Sequence, residues 1–165
     1  MTPASYRPDL QRIGQTVFPE MLGVMLSLPA TLRNTSSHLP SSDAPDWIIS
    51  TIHLAGKRLS GSVRIRLPLA FVAHAVRLLT SMSGVSQDTD ALLDDTAGEL
   101  ANMVAGRVAV QLAADGYPCT LSTPSVSRGE GPLIETDPGV DHGRTDLLCD
   151  GHWLSLDLKC HYADP

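Results

Sequence analysis

The spacing of apolar residues changes along the chain, and each change marks an element. From about Gln15 to Leu28, the residues Val17, Met21, Leu22, Met25 and Leu28 recur at helical spacing and predict an amphipathic first helix. Pro29 and the polar run NTSSHLPSSDAPD, from Asn34 to Asp46, predict an exposed connection. In LSGSVRIRLP the period shortens to two, with Val63, Ile65 and Leu67 alternating with Ser62, Arg64 and Arg66. The strand-like WIISTIHLAG lies just before it, and the short Gly56–Ser60 interval predicts an antiparallel hairpin. Pro68 ends the second strand and suits the start of a helix, LAFVAHAVRLLTSM, which Ser83-Gly84 closes.

The longest periodic segment is DDTAGELANMVAGRVAVQLAADG, from Asp94 to Gly116. Ser86, Asp88 and Asp90 are available as N-caps, and Gly116 is the natural stop. Leu93, Leu100, Val104 and Val108 share the side expected to seat this helix on a sheet. Arg107 and Gln111 fall at the margin of that side. Beyond the helix, CTLSTPSVS reads as extended, with Pro124 suited to an edge. The glycine- and proline-rich Arg128–Arg144 stretch reads as turns. HWLSLDLKCHY then alternates: Leu154, Leu156, Leu158 and Cys160 face one way, while Trp153, Ser155, Asp157, Lys159 and His161 face the other. That predicts an antiparallel-type strand with one wet face. The order of elements gives an α+β fold, an antiparallel or mixed sheet packed with a few helices, as a single domain over residues 1–165.

Composition narrows the function classes. The chain has 165 residues, enough for one core, and a formal net charge of -6. Arg64, Arg66 and Arg77 are scattered, so the basic stripe of a nucleic-acid binder is missing. No run approaches the ~20 apolar residues of a bilayer span. VMLSLPA looks like a short signal-peptide core but follows Pro19 and Glu20 and lacks a clean basic start. Three cysteines, Cys119, Cys149 and Cys160, make an odd set without a CxxC pair, which fits reduced thiols and a cytoplasmic location. A zinc site from Cys149, His152, Cys160 and His161 is disfavoured, because adjacent strand residues point to opposite faces. His53 and His74 fall on separate elements. There is no nucleophile elbow, P-loop or dinucleotide fingerprint.

The chemistry that remains lies on the long helix. Asp95, Glu99, Asn102 and Gly106 form one narrow stripe, bordered by alanine rather than by the long charges of an ordinary solvated face. Gly98, Asn102 and Gly106 recur at every fourth position. Glycine inside a helix costs on the order of 1 kcal/mol relative to alanine, so two of them call for the close approach of another surface. The plain alternative is a solvated Glu-x-x-Asn pair with glycines that ease helix packing.

GELANMVAGRVAVQL, followed by CTLSTPSVSRG, resembles the CheX branch of the CheC/CheX/FliY chemotaxis phosphatases. That family is marked by a helix carrying Glu-x-x-Asn, an acidic or serine residue four positions earlier, and a later proline in the next strand. The matching positions are Asp95, Glu99, Asn102 and Pro124. The resemblance implies a CheX-like fold and a phosphatase acting on the aspartyl phosphate of a phosphorylated CheY-type response regulator. Asn102 would orient water, Glu99 would pair with a regulator lysine, and Asp95, Gly98 and Gly106 would lie where the regulator docks. It further implies a homodimer, no cofactor on this chain, and Mg²⁺ on the regulator. The alternatives are a CheX-like module that binds a receiver without hydrolysis, and a scaffold that uses the stripe for self-association.

Overall fold

The computed structural model of the protein describes residues 6–33, 46–81, 89–129 and 137–163. In chain order the elements are α1 (Leu10–Leu26), β1 (Ala30–Arg33), β2 (Trp47–Ala55), β3 (Leu59–Pro68), α2 (Leu69–Ser81), α3 (Asp90–Ala114), β4 (Thr120–Leu121), β5 (Ser125–Gly129), β6 (Asp141–Cys149) and β7 (His152–Tyr162). One seven-stranded sheet runs β1-β6-β7-β3-β2, and β4 and β5 share the far edge of β2. Every pairing is antiparallel. This is the expected α+β architecture. The connection expected from Asn34 to Asp46 lies, save for Asp46, outside the described residues.

The core sits between the sheet and the helices. Ile48, Ile52, Val63, Ile65, Leu154, Leu156 and Leu158 point from the strands into a buried cluster. Phe18, Leu22, Phe71, Val72, Leu100, Val104 and Val108 meet them from the helices. The predicted hairpin forms in full, with Ile48 opposite Leu67 and Leu54 opposite Gly61. Each α3 residue expected to seat the helix is buried. Its N-cap is Thr89, whose hydroxyl accepts from the Leu92 amide, rather than Asp90, which falls in the first turn.

The strands differ from the sequence expectation in two ways. The chain from Asp141 to Arg144 is the start of β6 and not a turn. Its polar DHGRTD sequence hides the strand because the alternation is not one of apolar against polar residues. The α1 backbone at Leu10 and Gln11 lies so close to Gly143 that a side chain there would collide with it. β1 covers β6 only from Asp146 to Cys149. Next to that covered stretch, the Gln11 amide completes the ladder: Oε1 accepts from Arg144 N–H and Nε2 donates to Arg144 C=O. β1 was itself unexpected. It is short, and its partner is more than a hundred residues away in sequence.

The second difference is chemical. The face of β7 expected to be wet is polar but largely buried: Ser155 and Asp157 are buried, as are Arg66, Arg144 and Asp146 beside them. Asp157 accepts from Arg66 and contacts His142 at 3.1 Å. Arg144 donates to both carboxylate oxygens of Asp146 at 3.1 and 3.2 Å. Asp157 takes its cations from the neighbouring strands, Arg66 of β3 and His142 of β6, whereas Arg144 and Asp146 pair along β6 itself, so each buried carboxylate meets a basic side chain within the sheet.

Candidate functional site

α3 is held at both ends, which fixes the middle where the motif lies. At the C-terminal end Gly116 takes φ +88°, its amide donates to Ala113, and the Tyr117 amide donates to Leu112. That is the double hydrogen-bond pattern of a Schellman stop, closed by the buried Leu112 and Tyr117. The Tyr117 hydroxyl also donates to the Tyr6 carbonyl at 3.0 Å. Toward the N-terminal end, Arg128 of β5 meets Asp94 at 2.7 Å and Asp90 at 4.0 Å. Arg128 does not stand out in the sequence. Its contact spans the gap between a helix and an edge strand, and no local pattern announces it.

The edge strand beside α3 carries a bulge. Leu54 pairs with Leu121 and Thr51 with Ser125, so Ile52 and His53 of β2 face Ser122, Thr123 and Pro124. Ser122 pins it in place. Its amide donates to His53 C=O at 3.0 Å, and its hydroxyl accepts from His53 N–H at 2.9 Å. Proline fits at the bulge because no ladder bond requires its missing N–H. The bulge brings Pro124 against α3: a Cβ on Gly98 would lie 3.4 Å from the proline ring and 3.8 Å from Val126.

The expected site residues therefore divide. Asp95 and Glu99 are exposed, and Asn102 and Gly106 are partly exposed on the same face. The side chains of Asp95, Glu99 and Asn102 engage in no hydrogen bond or ion pair among the described residues. Gly106 has open space where a side chain would stand. Gly98 is buried and turned toward Pro124, and its small size serves close packing inside the chain. Pro124, distant in sequence, thus stands one helical turn from Asn102 through Gly98.

In chemical terms, the site offers an amide and a carboxylate about 5–6 Å apart at Cβ on a rigid helix, both free for a partner. Among the described residues no group of three or more His, Cys, Asp or Glu could hold a metal ion. The thiols are poor nucleophiles: burial raises the Cys119 and Cys149 pKa values and pushes Cys160 up to about 12. No described helix is long and apolar enough to cross a membrane.

The family model described as "Chemotaxis phosphatase CheX" matches residues 48–145, which run from the β2–β3 hairpin through α3 to β6. The chain belongs to the CheX family. A search of curated proteins found no match. Among solved structures, it is similar to the chemotaxis protein CheX of Vibrio vulnificus, with 18% identity, TM-score 0.75, and 94% of this chain and 99% of that one covered. It is similar also to the Borrelia burgdorferi chain solved as a CheX-CheY-BeF3-Mg²⁺ complex, with 19% identity, TM-score 0.69 and coverage of 94% and 99%. Thermotoga maritima FliY matches at 19% identity and TM-score 0.58, covering 99% of this chain and 92% of that one. At these identities the likeness shows the fold, and the CheX fold accounts for the single sheet with one long helix.

Proposed function

We propose that this protein accelerates hydrolysis of the aspartyl phosphate on a CheY-type response regulator, using Asn102 and Glu99. One observation carries the reading. The family's Glu-x-x-Asn pair lies at the surface of a helix clamped at both ends, Glu99 exposed and Asn102 partly so, with neither side chain paired among the described residues. The similar Borrelia chain, solved in a complex with CheY, BeF3 and Mg²⁺, supports a partner of this kind.

The chemistry needs little from this chain. Water attacks phosphorus in line, the bond to the aspartyl oxygen breaks, and the carboxylate and inorganic phosphate leave. Charge spreads over the equatorial oxygens, so positioning and electrostatics dominate. The Asn102 carbonyl accepts from the attacking water, while its amide can donate to a phosphoryl oxygen. It adds no negative charge. Glu99 pairs with a regulator lysine and sets the register. In this reading the Mg²⁺ belongs to the regulator and the protein works as a homodimer.

The test is the decay of a phosphorylated CheY-type receiver with and without the protein, beside Asn102→Ala. The expected loss of acceleration on removing the amide is on the order of a hundredfold, with receiver binding retained. Binding to the phosphorylated receiver without faster decay would instead identify a docking module.

A further inference from the structure

The exposed face of α3 is chemically divided at Asn102. Toward its N-terminus it is acidic, with Asp95 and Glu99 unpaired among the described residues and Asp90 and Asp94 facing Arg128. Past Asn102 come Met103, 37% exposed, then Gly106, and then Val110, 54% exposed. α1 extends this apolar half. The two helices run antiparallel: Glu20 pairs with Arg107 at 3.3 Å, and Arg12 and Thr16 line a groove with Gln111 and Asp115. One turn forward from Glu20 is Val24, 67% exposed, and one turn back from Arg107 is Met103. Val24 and Met103 therefore both lie one turn beyond the Glu20–Arg107 pair, toward the same end of the two helices.

Among the described residues, the exposed large apolar side chains are Tyr6, Val24, Leu32, Met103, Val110 and Leu121. Half of them fall on this one shelf next to the motif, where isolated exposed residues would be unremarked.

We infer that Val24, Met103 and Val110 form the docking shelf for an apolar patch on the receiver and select which receivers are served. This rests on the phosphatase reading above. Two features commit the shelf to the receiver rather than to a second copy of this chain. The first is continuity: Met103 follows Asn102, and Gly106 lies one turn beyond. A receiver near enough for the Asn102 amide to reach its phosphoryl group must also cover these residues, whereas a second copy seated here would block Asn102. The second is complementarity. The acidic half suits the cations around a receiver's phosphoryl group. The uncharged half suits apolar contact, and the Glu20–Arg107 pair, internally neutralised, borders it. Desolvated apolar anchors beside a charged contact are the usual arrangement at selective interfaces.

The test uses the full chain with Val24→Lys, Met103→Lys and Val110→Lys separately, and Met103→Leu as the conservative control. Binding is measured to a CheY-type receiver loaded with BeF3 and Mg²⁺, in which BeF3 stands for the phosphoryl group. Turnover is measured on the same receiver phosphorylated. The expected result is a rise in Kd and KM of about tenfold for each lysine, little effect on kcat, and recovery with Met103→Leu. Thermal melting confirms that the variants are folded. Unchanged Kd and KM in all three lysine variants overturns the shelf. So does sedimentation showing that Met103→Lys splits a homodimer while leaving receiver binding intact. The parent reading fails separately, if Asn102→Ala turns over receiver as fast as the wild type, and the binding measurements still decide the shelf.

Discussion

The sheet face opposite the helices α1, α2 and α3 and the exposed face of α3 are both polar in sequence, and they use their charges in opposite ways. On the sheet, Asp157 holds Arg66 and His142, and Arg144 holds Asp146, with Arg66, Asp157, Arg144 and Asp146 all buried. On α3, Asp95, Glu99 and Asn102 have no partner among the described residues and remain accessible. Charge satisfied inside a chain contributes to the fold's integrity. Charge left unsatisfied on a rigid helix is available to another molecule. The difference implies that substitutions on the first face change stability, and that substitutions on the second change function.

The largest expected effect is on the sheet. Asp157→Ala leaves the buried Arg66 guanidinium without its anion, and loss of one partner of a buried pair costs about 3–5 kcal/mol. Denaturant unfolding checks this. A loss below about 1 kcal/mol would mean that the pair behaves like a solvated surface bridge, and the contrast between the faces would collapse.

An alkaline titration probes the apolar side of the same strand and supplies a scale for both faces. Cys160 is raised from 9.0 to about 12, chiefly by burial, and Tyr162 beside it is raised for the same reason. Above pH 9 the unfolded thiol ionises while the folded one keeps its proton, so the unfolded state binds fewer protons. Stability is therefore complete below pH 9 and falls as pH rises toward 12, by up to about 1.4 kcal/mol per pH unit for this group. Melting temperatures between pH 8 and 11 should show a gentler decline in Cys160→Ala than in the wild type. Equal slopes would remove Cys160 as the cause.

The smallest effect in energy is the sharpest test of the α3 face. Gly106 has open space at its Cβ position, so Gly106→Ala should raise stability by about 0.5–1 kcal/mol through helix propensity. The same methyl stands where the receiver is expected to approach, so turnover should fall as stability rises. A more stable variant with wild-type turnover would show that no partner comes close at that point of the helix.

Much of this division is legible in the sequence. The Asp95–Glu99–Asn102–Gly106 stripe and its apolar seat both follow from helical period, which is a property of neighbouring residues. The β2–β3 hairpin is legible for the same reason, with a short connection and a period of two. β6 is not, because its polar DHGRTD run shows no alternation of apolar and polar residues, and the partner of His142, Asp157 of β7, is brought to it only by strand register. Trp153, Ser155, Asp157, Lys159 and His161 show the limit most clearly. The alternation correctly assigns them to one face, but whether that face is wet depends on Arg66 of β3 and His142 of β6.

The sequence by itself determined the long helix, the stripe on it and the α+β class, since periodicity and turn chemistry are local and repeat along the chain. Only the tertiary structure decided that Gly98 packs against Pro124, and that Thr89 caps α3. It alone brought Arg128 to Asp94 and Glu20 of α1 to Arg107 of α3. The physical reason is common to most of these. Contacts between elements depend on strand register and helix crossing, which the chain sets only when its distant segments pack together.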